Sequence, residues 1–377
     1  MKPILPGATI GILGGGQLGR MTAMAARSLG YHVHTLDPDP SCASRYVVER
    51  CITAPFDDDV AAAYLAKSVS VVTLEIEKIS LEAMNAAARH APVRPGAALL
   101  EIIQDRARQK AWLTKHGFPL GPYRTAEGVE TLRAALTSLG QPAFVKATFG
   151  GYDGGGQARA KGPEDAAQAF AQQGGGPCVV EQALDLEAEL SVLVARSPSG
   201  QLAVYPPALN HHENRVLDWS VLPGPLPPAL VQRAEELGRD IAEKIQVEGL
   251  LVIELFLTRS GDLFVNELAP RPHNSFHATE VACLTSQFEQ AVRAVCDLPL
   301  GSTEILRPAA IANLLGDLWL REGRPPAWDR ALAIPGVRLH LYGKRVPRAG
   351  RKMGHLSAAG LTPKEAVERV LEAKSRL

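Results

Sequence analysis

Short apolar runs alternate with helical stretches through the N-terminal part of the chain. ATIGIL (8–13), HVHTLD (32–37) and SVVTLE (70–75) read as strands, and QLGRMTAMAARSLG (17–30) reads as a helix stopped by Gly30. Strand–helix alternation predicts a parallel sheet covered on both faces. Ligands of such sheets sit at the carboxyl ends of the strands. Gly14–Gly19, Asp37 and Glu75 all fall there.

After a turn at VRPG (93–96) comes a charged helix, QDRARQKAWLTKHG (104–117). PAFVKATFGGYDGGGQARA (142–160) reads as strand, glycine loop and strand, and GGGP (174–177) as a break. Further β-like runs follow: CVVEQAL (178–184), AELSVLVAR (188–196) and LAVYPPAL (202–209). Over 229–246, Leu230, Ala234, Leu237, Ile241 and Ile245 recur at spacings of four, three, four and four, which predicts an amphipathic helix. LLVIELFL (250–257) and DLFVNELA (262–269) are strands, and 362–377 is a closing helix. These breaks divide the chain into 1–104, 105–176 and 177–377. The class is α/β plus α+β: a Rossmann-like parallel-sheet domain, a small domain and a larger C-terminal one.

Composition narrows the function. The 377 residues suggest two or three domains, and 40 basic side chains balance 40 acidic ones. Neutral charge and 5% aromatic content disfavour nucleic acid as a partner. The five cysteines are scattered without a C-x-x-C, which predicts free thiols in a reducing compartment. No apolar run is long enough to span a membrane. The expectation is a cytoplasmic protein.

Three stretches carry chemistry. GILGGGQLGR contains G-x-G-x-x-G at Gly14, Gly16 and Gly19, with Asp37 about 20 residues on, the outline of a dinucleotide fingerprint. The turn leaves open whether the ligand is NAD or another phosphate. In GLLVIELFLTRSGDLFVNELAPRPHN, a two-residue Ser260-Gly261 turn would pair Arg259 with Asp262, Phe256 with Val265 and Glu254 with Glu267. Two carboxylates about 5 Å apart on an apolar sheet repel each other. A hard divalent cation such as Mg²⁺ resolves the conflict; a shift of register that turns one glutamate to solvent also would. Lys146 ends a strand before a loop with Gly150, Gly151, Gly154, Gly155 and Gly156, whose amides can cover phosphates. The loop is not a Walker A sequence. Lys344, Arg345, Arg348, Arg351 and Lys352 form a local basic field suited to a phosphate-bearing small molecule.

Together these segments resemble the 5-(carboxyamino)imidazole ribonucleotide synthase family of ATP-grasp enzymes. The resemblance runs almost end to end. GGGQLGRM, QDR…QK, GGYDG…GQ, NELAPRPHNS, TSQFEQ and HLYGK…GRKMGH occur in order, and NELAPRPHNS and GRKMGH are its most specific parts. It implies an ATP-grasp architecture with a pre-ATP-grasp domain, a lid domain and a C-terminal α+β domain. It implies a ligase joining ATP, bicarbonate and aminoimidazole ribonucleotide through carboxyphosphate, with Mg²⁺, without NAD, as a homodimer. Carried over by position, Arg106 and Lys146 contact phosphates, and Gly151, Tyr152, Asp153, Gly154, Gly155, Gly156 and Gln157 close over them. Glu181, Gln182, Ala183 and Leu184 form the adenine hinge, Glu189 matches the ribose ligand, and His212, Asn266 and Glu267 complete the ATP set. Glu254 and Glu267 match the Mg²⁺ ligands.

For the ribonucleotide, the resemblance implies Glu75, Tyr152, Asp153, Arg271, His273 and Asn274, with Lys344 and Arg351 clamping its phosphate. Gly16, Gln17 and Leu18 are expected to face that phosphate, because a helix N-terminus favours an anion. Arg271 suits a planar carboxylate, and Asp153 or His273 takes the amine proton. Lys146, Arg271, His273 and Asp153 are the expected catalytic residues. Departures from the family pattern include Gly155 in place of a basic residue, Phe276 in place of Gly, expected to narrow the acceptor pocket, and Ala278 in place of an aromatic. Ile76, Lys78, Thr148 and Phe149 also differ. The rivals are another ATP-grasp ligase, an NAD(P)-dependent dehydrogenase and a non-catalytic nucleotide sensor. The hairpin, the lysine loop and the basic tail disfavour the dehydrogenase.

Overall fold

The computed structural model describes residues 2–140, 142–150, 156–321 and 325–377. Its first sheet is parallel: β1 (Thr9–Leu13), β2 (His32–Asp37), β3 (Arg50–Thr53) and β4 (Val71–Leu74), in the order β3-β2-β1-β4. Apolar side chains cover both faces, as a parallel sheet requires. Helices Asp59–Ala66 and Leu81–Ala88 bury one face through Leu65 and Met84. Helix Gln17–Ser28 and the distant helix Gln287–Val295 cover the other, where Val292 and Val295 meet Ile10, Ile12 and Val33. The first sheet is thus held by a helix from the C-terminal part of the chain.

A small antiparallel sheet follows: β5 (Tyr123–Ala126), β6 (Ala143–Ala147), β7 (Gln157–Ala160) and β8 (Cys178–Gln182), ordered β5-β8-β6-β7. Helices Val129–Leu139 and Ala166–Gln172 pack on it. Its central strand β8 lies past residue 176.

The large sheet is antiparallel and comprises β9 (Leu186–Arg196), β10 (Leu202–Val204), β11 (Ala208–Glu213), β12 (Val216–Leu222), β13 (Gly249–Thr258), β14 (Leu263–Ala269), β15 (Ala309–Leu315), β16 (Val337–Leu341) and β17 (Lys352–Ala359). Its order is β14-β13-β9-β11-β12-β15-β17-β16, with β10 beside β9. Helix Pro228–Ile245 packs on it through Leu230, Ala234 and Ile241, with Leu237 and Ile245 at the margin. Helix Pro363–Ser375 covers β12, β15 and β17, its N-terminus capped by Thr362.

The expected β run LAVYPPAL is split. Tyr205–Pro207 separates β10 from β11, and the prolines remove ladder donors there. The basic stretch is not one loop: Lys352 opens β17, so four of the six residues of GRKMGH are sheet.

Candidate active site

The carboxylate hairpin reaches its expected pair by an unexpected route. The turn is not the two residues Ser260-Gly261. Leu257 pairs with Leu263, and Thr258–Asp262 forms the connection, closed by Thr258 N–H to the Asp262 carbonyl at 3.0 Å. Arg259 reaches Asp185 at 3.2 Å rather than pairing with Asp262, and Phe256 faces Phe264, not Val265. A bulge then inserts Asn266 and restores the Glu254–Glu267 pair. In an unbroken strand, Asn266 and Glu267 would point to opposite faces. The bulge re-aims them: Asn266 Nδ2 donates to Glu254 Oε2 at 3.2 Å, and Arg106 pairs with Glu267 at 3.4 Å.

Burial pushes the Glu254 carboxyl up to about 7, and the charge of Glu267 adds to the rise. Two opposed carboxylates, one of them short of positive charge, form a donor set that fits Mg²⁺. Glu254, Glu267 and the Asn266 amide oxygen are all hard ligands.

Lys146, at the end of β6, donates to Glu181 Oε2 at 2.6 Å and lies 3.5 Å from Asn266 Oδ1. Lys110 holds the other Glu181 oxygen at 2.9 Å. Burial alone would raise the Glu181 carboxyl, but the two lysines outweigh it and hold it at about 2. The Glu181 side chain is therefore engaged by cations, which leaves the backbone, Gln182 and the apolar neighbours of the hinge to face a base. Ala183 N–H donates to the Pro142 carbonyl, and Leu184 lines the cleft with Phe144, Leu186 and Phe256. His212 Nδ1 lies 3.0 Å from Glu189. Burial opposes charge on this imidazole, yet Glu189 and Glu254 raise its pKa overall.

One cleft of about 820 Å³ holds this set, including Gln157 and Gln182, and continues to Arg271, His273 and Asn274. Arg271 is buried and pairs with Glu77 at 2.8 Å. His273 Nε2 lies 3.2 Å from Glu254 and Nδ1 lies 2.9 Å from Ser275 Oγ, while Gln287 brackets its backbone. Burial holds His273 well below the usual imidazole range, with Arg271, Lys352 and His212 adding to the effect. Gln17 joins three distant segments: its Nε2 donates to Asn274 Oδ1 at 3.0 Å, and its Oε1 accepts from Lys344. Lys344 also donates to the Lys352 carbonyl at 2.7 Å. Arg351 turns onto the Val346 carbonyl at 2.7 Å.

The glycine fingerprint has an internal ligand. The Glu75 carboxylate accepts from Gly16 N–H at 2.7 Å and Gly19 N–H at 2.8 Å, and Asp37 accepts from Gly15 N–H at 2.7 Å. A Cβ at Gly14 would stand 2.5 Å from Glu75, and one at Gly16 2.6 Å. The glycines make room for a carboxylate of the same chain. Burial raises Glu75 to about 7 although the two amides pull it down. Glu75 thus caps the helix N-terminus with its carboxylate, and the Leu18 side chain packs on Met21, Phe288 and Tyr342. The amides of Gln17 and Leu18 have no partner among the described residues.

Phe276 does not narrow the pocket. It is fully buried against Tyr205, in the same core cluster as Ala278. Gly151, Tyr152, Asp153, Gly154 and Gly155 lie outside the described residues.

Sequence reasoning missed Lys110 and Glu77. Lys110 follows Arg106 by four, so the two share a helix face; that spacing was the available signal. Nothing in the sequence marks Glu77 as the partner of Arg271.

Three family models match the chain: a ribonucleotide synthetase preATP-grasp domain at residues 7–104, an ATP-grasp domain at 111–288, and a phosphoribosylaminoimidazole carboxylase C-terminal domain at 309–369. An N5-carboxyaminoimidazole ribonucleotide synthase of Bacillus subtilis is 41% identical over 355 residues, covering 94% of this chain and 92% of its own. A solved ADP complex of an N5-carboxyaminoimidazole ribonucleotide synthetase superposes with a TM-score of 0.94 at 39% identity, covering 100% of this chain and 98% of that one. An Aspergillus clavatus N5-carboxyaminoimidazole synthase, solved with ADP and 5-aminoimidazole ribonucleotide, superposes at 0.90 with 30% identity, covering 98% of each chain. With its parallel first sheet, small lid sheet and bulged carboxylate hairpin, the chain belongs to the N5-carboxyaminoimidazole ribonucleotide synthase family of ATP-grasp ligases.

Proposed function

We propose that this chain is an ATP-dependent ligase that converts 5-aminoimidazole ribonucleotide and bicarbonate to N5-carboxyaminoimidazole ribonucleotide, ADP and phosphate in purine biosynthesis. The observation that carries this reading is that one cleft joins a lysine–carboxylate phosphoryl site to a buried arginine and to Asn274, which Gln17 of the glycine turn contacts. ATP lies between the apolar wall at Leu184 and Phe256 and the charges at Lys146 and Arg106. Lys146 and Arg106 offset charge on the transferring phosphoryl group. Mg²⁺, when held by Glu254 and Glu267, neutralises phosphate charge and orients the transfer. Bicarbonate is a poor electrophile, and phosphorylation gives it a leaving group as carboxyphosphate. That species hydrolyses readily, so the loop over Gly151–Gln157 must exclude water.

Arg271, fixed by Glu77, presents its guanidinium to the planar carboxyl group. The ribonucleotide phosphate sits against the Gln17 and Leu18 amides and Lys344, with Arg351 nearby, which sets the amine toward Arg271 and Asn274. His273, whose pKa burial lowers and whose ring is tied to Glu254 and Ser275, and Asp153 are the two candidates to take the amine proton. No described helix is long and apolar enough to cross a membrane, and we place the enzyme in the cytoplasm as a homodimer.

The test is ADP release with and without the ribonucleotide, with labelled bicarbonate trapped as the carbamate. Ribonucleotide-dependent ADP and label in the product are expected. ADP release indifferent to the ribonucleotide would sink the assignment.

A further inference from the structure

Two thiols beside the glycine turn take no part in this chemistry. Cys42 Sγ and Cys51 Sγ stand 3.5 Å apart. Cys51 lies on β3 and is half-buried, whereas Cys178, Cys283 and Cys296 are buried. Cys42 packs against the turn itself: a Cβ on Gly15 would meet its sulfur at 2.6 Å. The same connection between β2 and β3 holds the turn by Ser44 N–H to the Gly15 carbonyl at 2.9 Å. It holds helix Gln17–Ser28 by Arg20 to the Ala43 carbonyl at 2.9 Å. On its outer side the Tyr46 hydroxyl accepts from Arg345 at 2.5 Å, in the basic segment that also carries Lys344. Residues 42–46 thus touch both the glycine turn and the basic segment.

We propose that Cys42 and Cys51 form a thiol–disulfide site, oxidised by a hydroperoxide and reduced by a dithiol, whose closure weakens ribonucleotide binding. The Cys51 thiolate attacks a peroxide oxygen. The O–O bond breaks, an S–O bond forms, and hydroxide leaves and is protonated to water. The Cys42 sulfur then attacks the Cys51 sulfenic acid and expels water, so the two sulfurs are oxidised by two electrons and the peroxide is reduced. A partly accessible thiol with a resolving thiol beside it is the usual arrangement of such sites. Hydrogen bonding with Cys42 is the main cause holding the Cys51 thiol below its ordinary range, and Thr35 and Arg45 help against burial. Closing the bond needs the sulfurs to approach by about 1.5 Å. That motion draws Cys42 off Gly15 and pulls on Ala43 and Ser44. The effect on affinity rests on the ribonucleotide reading above; formation of the bond does not.

The experiment treats the full-length enzyme with hydrogen peroxide, alkylates the free thiols, and maps tryptic peptides by mass spectrometry. Cleavage after Arg45 and Arg50 puts the two cysteines in separate peptides. We expect a 42–51 linked peptide, loss of two thiols, and a rise in KM for aminoimidazole ribonucleotide of about fivefold, the equivalent of one hydrogen bond. KM for ATP should not move, and dithiothreitol should reverse the change. Cys51→Ser should keep the untreated enzyme's KM and show no response to peroxide. No linked peptide from native enzyme overturns the site. A linked peptide with unchanged ribonucleotide KM overturns the coupling alone. A shift in ATP KM instead of ribonucleotide KM contradicts the placement of the ribonucleotide.

Discussion

The two regions proposed to hold ATP and the ribonucleotide are built in opposite ways. The ATP region joins two units that are each local, a hairpin and the small sheet. Glu254, Asn266 and Glu267 come from one hairpin, and Lys146 and Glu181 from adjacent strands of the small sheet. The ribonucleotide end is assembled from afar: Gln17 meets Asn274 across 257 positions and Lys344 across 327. The region proposed for ATP sets two like charges against each other on one hairpin. At the other end, three amides of the glycine turn are already matched to Asp37 and Glu75. An unresolved charge conflict marks a ligand site more reliably than a glycine motif, because glycines also serve close packing within the chain.

This contrast yields graded predictions. Glu267→Gln removes one of the opposed charges and should lower kcat by more than about 100-fold, with the circular dichroism spectrum unchanged. Activity within a few-fold of the parent would mean the metal platform lies elsewhere. Lys344→Ala should raise KM for the ribonucleotide by about 10-fold to 100-fold, the range of a charged hydrogen bond, while KM for ATP stays fixed. A matching rise in both constants would erase the distinction between the two ends.

Lys110→Met should raise KM for ATP and lower stability, measured by urea unfolding. The loss should fall below the about 3–5 kcal/mol of a fully orphaned buried charge, because Lys146 still pairs with Glu181. No loss at all would show that Lys110 is not needed to hold Glu181.

The smallest effect concerns pH. The folded-state pKa of Glu254, about 7, lies above its ordinary 4.5. Its contribution to the stability of the metal-free protein is therefore full below about 4.5 and is lost as pH rises through 7. Metal binding needs the ionised form. The thermal shift produced by Mg²⁺ and ADP should be larger at pH 8 than at pH 6. Equal shifts would contradict the role given to Glu254.

Much of this was legible in the chain, unevenly. Amphipathic periodicity located helix Pro228–Ile245, and strand–helix alternation located the parallel sheet. The Glu254–Glu267 pair was legible although its register was not. A two-residue turn miscounts the loop, and the Asn266 bulge compensates; neither leaves a pattern in hydrophobicity. β3, β5, β12, β15, β16 and β17 were not picked out. β15 is buried almost throughout, so it shows no period-two pattern that separates a strand from a buried helix. Gln17, Asn274 and Lys344 meet only because the first sheet docks on helix Gln287–Val295, and single-sequence patterns carry no such distance information.

The division of labour between the two ends is most directly tested by a crystal structure of this chain with ADP and aminoimidazole ribonucleotide. The account predicts the ribonucleotide phosphate on the Gln17 and Leu18 amides and Lys344, with ADP between Lys146 and Leu184. A phosphate more than roughly 8 Å from the turn, beyond direct or single-water bonding, or ADP seated on the glycine turn, would contradict it.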